Sequence, residues 1–196
     1  MPENFLNRIH KLFNNKKARK PLLKLRVPLG LILFVLLSSI IKLDFFFWGL
    51  AVSVLGEIFQ VWCMSTIKTK KKLTVVGPYM FMRNPMYIGR FFLIFGIIMM
   101  TGNPWLLGGL TILYYFYMVN RVKREEKILS DLFGKAYEDY CREVNRYVPS
   151  FARFDRSLLR SFNKESFIQN NVHWNILEIA ICYLILYAFA QFWTTY

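Results

Sequence analysis

YIGRFFLIFGIIMMTGNPWLLGGLTILYYFYMVN (Tyr87–Asn120) decides the architecture of this chain. Two apolar runs, Tyr87–Thr101 and Pro104–Asn120, flank the triplet Gly102-Asn103-Pro104. Gly-Asn-Pro is turn chemistry: glycine reaches backbone angles other residues avoid, and proline breaks a helix that precedes it. The two runs therefore predict a helical hairpin. Its polar flanks, Gly77–Met86 before and Arg121–Tyr140 after, return to the same side.

Three more apolar segments lie outside the hairpin, at Val27–Leu43, Phe45–Thr66 and Val172–Thr195. Each approaches the ~20 residues a helix needs to cross hydrocarbon. The run Tyr87–Thr101 falls about five residues short of that length, so it is expected to tilt, to begin below the surface or to be shielded by protein. Hydrophobic residues make up 55% of the chain and aromatics 18%, with mean hydropathy +0.30. A soluble domain of this size does not normally carry so many long apolar runs. The expected fold is all-α: a polytopic integral membrane protein of about five transmembrane helices, with a helical hairpin and a cytosolic pocket. Its segments are a basic N-terminal stretch (1–26), a membrane core (27–149), a basic interfacial linker (150–171) and a C-terminal transmembrane helix (172–196).

The formal charge of +14 raises the question of nucleic acid, and the placement of the charges answers it. Eight Lys/Arg precede the first run, five lie between the second and third, and eleven between the fourth and fifth. With alternating helices, 24 of the 26 cations fall on one side; Lys42 and Arg90 are the others. This is the positive-inside pattern, which puts the N-terminus in the cytoplasm and the C-terminus across the membrane. The basic excess then serves orientation and attraction to anionic lipid headgroups, and no nucleic-acid partner is expected.

The first apolar run ends at Lys42-Leu43-Asp44 without a small-residue cleavage site, so no removable secretory leader is expected. FLNRIHKLF (Phe5–Phe13) spaces Phe5, Ile9, Leu12 and Phe13 helically between basic residues, as a segment lying on the membrane would. Ser150–Asn171 interleaves Phe and Leu with basic residues, which suits an interfacial helix or a solvated tether. Cys63, Cys141 and Cys182 are scattered and odd in number, fitting neither a disulfide framework nor a metal site. His10 and His173 have no partner at ligand spacing. Zinc chemistry and a histidine general base are both unexpected, which removes most hydrolase mechanisms.

The polar flanks hold the chemistry. Gly77-Pro78 and Asn84-Pro85 are turn signals, and between them Tyr79, Arg83 and Asn84 gather on a short connector. Taken alone, this connector reads as a re-entry loop whose Arg83 touches lipid phosphate and whose tyrosines form an interfacial belt. Arg121 and Glu125 sit four apart on one helical face, with Leu129, Leu132 and Phe133 continuing that side and Gly134 placed to end the helix. An isolated pair at that spacing is a helical ion pair contributing a few tenths of a kcal/mol. Returned by the hairpin to the side of Arg83 and Asn84, a cation and a carboxylate suit a zwitterionic ligand or a paired substrate and cofactor.

GPYMFMRNPMYIG (Gly77–Gly89) and EEKILSDLFGKAYEDYCREVNRYVP (Glu125–Pro149) resemble the isoprenylcysteine carboxyl methyltransferase family, which extends to membrane phospholipid methyltransferases. Glu125, Glu126, Leu129, Phe133, Gly134, Tyr137, Tyr140, Arg146 and Pro149 match the second half of the family pattern. Gly77, Tyr79, Arg83, Pro85, Tyr87 and Gly89 match the first, and Asn84 stands where the family usually has histidine. The resemblance implies S-adenosyl-L-methionine as methyl donor. By position, Lys71, Lys72, Leu73, Thr74 and Tyr79 would line its site. Arg83, Asn84, Pro85, Met86 and Tyr87 would form the wall, Glu125 would take the donor's amino group, and Arg121 would face the acceptor. Methyl transfer from a sulfonium needs alignment and exclusion of water, with no metal. A carboxylate acceptor is already ionised and suits Arg121, whereas an amine would need a base such as Glu125 or Glu126. A carboxylate or thiol on a lipophilic small molecule or lipidated acceptor is therefore favoured.

Glu57, twelve residues into an apolar run, is costly at membrane depth and is expected along the acceptor's path. Two other functions stay open on these residues. One is a non-catalytic membrane binding or assembly protein with a degenerate site; the other is an oxidoreductase akin to sterol reductases.

Overall fold

A computed structural model describes residues 15, 21, 24–68, 72–159 and 161–195. Lys71 and the Phe5–Phe13 segment lie outside the described residues. Within them the secondary structure is entirely helical: α1 (Arg26–Ser38), α2 (Leu43–Thr66), a 3-10 turn (Gly77–Met80), α3 (Pro85–Met99), α4 (Pro104–Phe133), α5 (Lys135–Glu143), α6 (Arg156–Leu159), α7 (Lys164–Gln169) and α8 (Val172–Thr195). The spans Leu43–Thr66 and Val172–Phe192 are long and apolar enough to cross a membrane, and Val27–Ser38 and Pro85–Met99 are shorter apolar helices.

The first predicted run is cut short. Ser38 and Ser39 turn their hydroxyls back onto the Val35 and Leu36 carbonyls at 2.8 Å each, and the chain leaves the helix before Leu43. The backbone N–H of Lys42 then donates to the Met100 carbonyl at 3.0 Å, tying this corner to the far end of α3. Gly102 and Asn103 make the expected turn. The Asn103 side chain accepts from the N–H groups of Trp105 and Leu106, and Pro104 fills the first helical position, where no N–H is needed. From there α4 runs 30 residues without interruption, about 45 Å at 1.5 Å per residue. It carries Arg121, Glu125 and Phe133 far past the hairpin before Gly134, with φ +50°, stops it.

α2 and α3 form the most extensive contact in the fold. They run antiparallel, Gly49 facing Gly96 and Gly56 facing Gly89. A Cβ at Gly56 would sit 2.7 Å from the Gly89 carbonyl oxygen, and one at Gly96 would sit 2.6 Å from Ser53 Cβ. The two glycine pairs, each seven residues apart on its helix, let the backbones touch along this seam. Ser53 adds a hydroxyl bond to the Leu93 carbonyl at 2.7 Å. Gly96→Ala is expected to force the helices apart and to cost about 1–3 kcal/mol, read as a lower thermal midpoint in detergent.

α2 reverses the pattern of a soluble helix. Its buried positions include Ser53, Glu57, Gln60, Ser65 and Thr66, while Trp48, Leu55 and Ile58 stand 60–69% exposed. Polar side chains inside and large apolar ones outside suit an outer solvent of hydrocarbon. The linker is two short helices rather than one interfacial helix. It is stitched to the end of α2: Asn163 N–H donates to the Ser65 carbonyl at 3.0 Å, and Asn170 Nδ2 donates to the Met64 carbonyl at 2.8 Å.

Candidate functional site

The 3-10 turn, the coil residues 67, 68 and 72–76, the second half of α4 and α5 converge on one cleft. Ile67, Lys68, Lys72, Leu73, Thr74, Tyr79, Arg83, Leu129, Phe133 and Tyr140 line it. Leu73 and Val75 pack against a buried cluster of Tyr137, Tyr140 and Val144 from α5 and the residue that follows it. Tyr140 Oη donates to the Tyr79 carbonyl at 2.6 Å, fixing the turn from below. Among the described residues, the buried Tyr79 hydroxyl finds no hydrogen-bond partner. Burial pushes this phenol well above its ordinary pKa, reinforced by nearby Cys63, Tyr140, Glu125 and Tyr87. It stays a neutral donor without an acceptor, which is costly unless a ligand supplies one.

The cleft holds about 80 Å³, below the roughly 300 Å³ at which small-molecule sites begin. A nucleoside-sized ligand therefore requires one wall to move. On the coil wall, Lys68 N–H donates to Thr74 Oγ1 at 3.2 Å.

Beside the cleft, Glu125 is held from two sides. Arg121 Nη2 lies 2.8 Å from Oε1, and Tyr87 Oη donates to Oε2 at 2.7 Å. Tyr87 is in turn set by Tyr114 Oη, which donates to its carbonyl at 2.7 Å. Arg121 and Glu125 keep 45% and 34% of their side-chain surface exposed, so the pair remains open to exchange with a ligand.

One residue along, Glu126 points into protein. Adjacent helical side chains diverge by about 100°, which sends the two carboxylates to different tasks. Glu126 accepts from Asn84 Nδ2 at 3.0 Å and pairs with Arg83 at 3.5 Å and with Arg146 at 2.5 Å. Both its exposure and that of Arg83 are near 10% (10% and 13%). The Arg83 N–H also donates to the Asn145 carbonyl at 2.9 Å, and Ser150 N–H to the Phe81 carbonyl at 2.7 Å. Glu126 thus clamps the connector between the second and third helices to the segment after α5.

The structure brings together most of the residues singled out in the sequence. Lys72, Leu73, Thr74, Tyr79 and Arg83 share the cleft, and Arg121, Glu125 and Tyr87 form the adjoining triad. Asn84 turns to Glu126 instead. Pro85 is buried in the first turn of α3, and Met86 Sδ accepts from Arg90 at 3.7 Å; neither is a lining residue of the cleft. Leu132, read with Leu129 and Phe133 as continuing the face of Arg121 and Glu125, is 52% exposed and does not line the cleft. Glu57 stands apart, between α2 and α8. Glu126 and Tyr140 carry more of the geometry than the site reading assigned them. The doublet Glu125-Glu126 was the available signal, because a second acid beside a ligand-facing one must find its own partners.

Among the described residues the fold is all-helical, with apolar outer faces and a carboxylate–arginine–tyrosine cluster at the return of a helical hairpin. The chain belongs to the phospholipid methyltransferase family, which matches residues 25–136, more than half its length. It is similar to protein-S-isoprenylcysteine O-methyltransferase of Tribolium castaneum, 27% identical over 113 residues, covering 52% of this chain and 40% of the relative. It is also similar to protein-S-isoprenylcysteine O-methyltransferase B of Arabidopsis thaliana, 29% identical over 114 residues, covering 52% of this chain and 58% of the relative. The chain thus spans less than two-thirds of either relative. No solved structure gives a significant match.

Proposed function

We propose that this protein is a multi-pass membrane methyltransferase that uses S-adenosyl-L-methionine and acts on a lipophilic acceptor at the cytoplasmic face. The observation that carries this reading is the unpartnered Tyr79 hydroxyl beside Glu125, in a cleft walled by the family's two motifs. A buried donor and a half-open carboxylate fit a ligand that bears both an acceptor and an ammonium group. The N-terminus is assigned to the cytoplasm by the charge pattern, with α1, α2, the α3–α4 hairpin and α8 as the spans.

When bound, the donor supplies an electrophilic methyl on a sulfonium. The chain's own residues then have distinct tasks. Glu125 would receive the donor's amino group, drawing on the bond now made to Arg121. Tyr87 would hold the far oxygen of that carboxylate, which fixes its orientation. Tyr79 would donate to an acceptor atom of the donor, and Leu73, Leu129 and Phe133 would exclude water from the reacting atoms. Arg121, freed on its exposed side, would orient the acceptor. Among acceptors a carboxylate suits Arg121 best, because it forms paired charge-assisted bonds and needs no base. The relatives' name points to an oxygen acceptor on a protein S-isoprenylcysteine; the family name admits a phospholipid.

Calorimetric titration of the purified protein with S-adenosylhomocysteine tests the reading. Micromolar binding is expected, and its absence from well-folded protein would overturn it. Tyr79→Phe is expected to leave thermal stability unchanged or slightly raised, because it deletes an unsatisfied buried hydroxyl, while weakening the product about fivefold.

A further inference from the structure

The linker 150–171 is fastened where α2 ends and α8 begins. These helices have 24 residues each, about 36 Å at 1.5 Å per residue, against a hydrocarbon core of ~30 Å. With both as spans, Thr66 and Val172 reach the headgroup layer. Asn175 Nδ2, donating to Met64 Sδ at 3.6 Å, keeps the two ends together. Ser161 Oγ shares a hydrogen bond with Thr66 Oγ1 at 3.0 Å, beside the bonds of Asn163 and Asn170 to the same end of α2. Upstream, Phe81 packs against Phe151 and Phe154, with ring centroids 5.6 and 6.0 Å apart, just before α3 begins at Pro85. Tied beside the ends of α2, α3 and α8, the segment is confined to headgroup depth.

Its outer surface is apolar and basic. Phe151, Phe154, Phe162 and Ile168 are 52–69% exposed, a patch that water alone would not favour. The segment carries four Lys/Arg against two acids, and most of the other charges have local partners. Arg153 pairs with Glu143 at 3.0 Å, Asp155 accepts from the N–H and hydroxyl of Ser157, and Glu165 accepts from Gln169 at 2.8 Å. Arg156 and Lys164 are exposed and have no ion-pair partner among the described residues. Lys164 also stands at an open cleft of about 530 Å³, walled by Phe162, Phe167, Ile168 and His173. Phe162 and Phe167 meet there with ring centroids 5.6 Å apart.

We propose that the linker is a binding surface for anionic lipid of the cytoplasmic leaflet, with Phe154 and Phe162 seated among the headgroups and Arg156 and Lys164 receiving the negative charge. Basic residues interleaved with Phe and Leu hold a membrane surface by two effects, burial of apolar area and attraction to anionic headgroups. Charge decides between lipids. A zwitterionic headgroup brings its own cation, whereas an anionic one leaves a net charge for the two unpaired side chains. The inference rests on the membrane topology proposed above and not on methyl transfer.

The test uses the full chain in nanodiscs of phosphatidylcholine with a minor share of phosphatidylglycerol. The photoreactive residue benzoylphenylalanine replaces Phe154, Phe162 or, as a control inside the bilayer, the exposed Leu55 of α2. Lipid adducts are identified by mass spectrometry. All three positions are expected to capture lipid. At Phe154 and Phe162 the phosphatidylglycerol adducts should exceed that lipid's share of the bilayer about fivefold, the effect of one basic residue at the surface. At Leu55 they should follow the bulk composition. Arg156→Gln combined with Lys164→Gln should abolish the enrichment while lipid capture persists, and 1 M salt should reduce it by shortening the screening length to about 3 Å. Capture at Leu55 without capture at the two linker positions would overturn the proposal, as would adducts there that follow bulk composition or an enrichment that survives the double substitution. No lipid capture even at Leu55 would remove the topology, and the lipid surface with it.

Discussion

Glu125→Ala is expected to weaken S-adenosylhomocysteine binding by about 100-fold, since a hydrogen bond to a charged group contributes up to about 3 kcal/mol. Methyl transfer should fall with it. The fold should lose less than binding does: the partly exposed Arg121–Glu125 pair contributes only a few tenths of a kcal/mol, and the Tyr87 hydroxyl, left without its acceptor, adds about 1–3 kcal/mol. Glu125→Gln, which keeps that acceptor, separates the two effects, because binding lost there at a nearly unchanged thermal midpoint reports the site. Glu125→Gln keeps an oxygen for the Tyr87 hydroxyl but removes the charge. It should bind better than the alanine variant and remain well below wild type. Equal binding by wild type and Glu125→Ala would place the donor's amino group elsewhere and leave the triad as a helix-surface ion pair.

The periodic part of the fold was legible because bilayer physics writes it in composition. Val172–Thr195 is the helix its apolar run predicted, and Gly102-Asn103-Pro104 makes the predicted turn. The end of α1 was not legible, because serine hydroxyls and a long-range bond from Lys42 to Met100 stop the helix inside an apolar run. Nor was the glycine seam between α2 and α3, which exists only when two helices are brought together.

The site shows the same division. Arg121 and Glu125 declared themselves by their spacing along one helix, while Tyr79, Arg83 and Thr74 were placed by resemblance. The loss of Asn84 to Glu126 could not be read. It depends on Arg146, sixty-two positions away, converging on the same carboxylate. Asn84, where the resemblance leads one to expect histidine, donates to a buried acid, a contact that requires no titration.

Glu126→Ala should do the reverse of Glu125→Ala and damage the fold first. Glu126 is the shared counter-charge of Arg83 and Arg146 and the acceptor for Asn84. Its removal leaves a nearly buried Arg83 uncompensated, the situation in which breaking an ion pair costs about 3–5 kcal/mol. A drop of about 10 °C in thermal midpoint is expected, together with faster proteolysis at the connector 77–84 and the segment 145–150, which the cluster joins. Glu126→Gln retains an acceptor for Asn84 and should fall between wild type and alanine.

The decisive comparison adds Arg146→Met to Glu126→Ala. Arg146 is 41% exposed, so removing it relieves repulsion with Arg83 at little cost in burial, and part of the lost stability should return. Such recovery is a coupling between the two sites, which independent surface residues do not show. A double variant no more stable than Glu126→Ala alone would mean that Arg146 rests against the cluster without contributing to it. The clamp would then reduce to Arg83, Asn84 and Glu126.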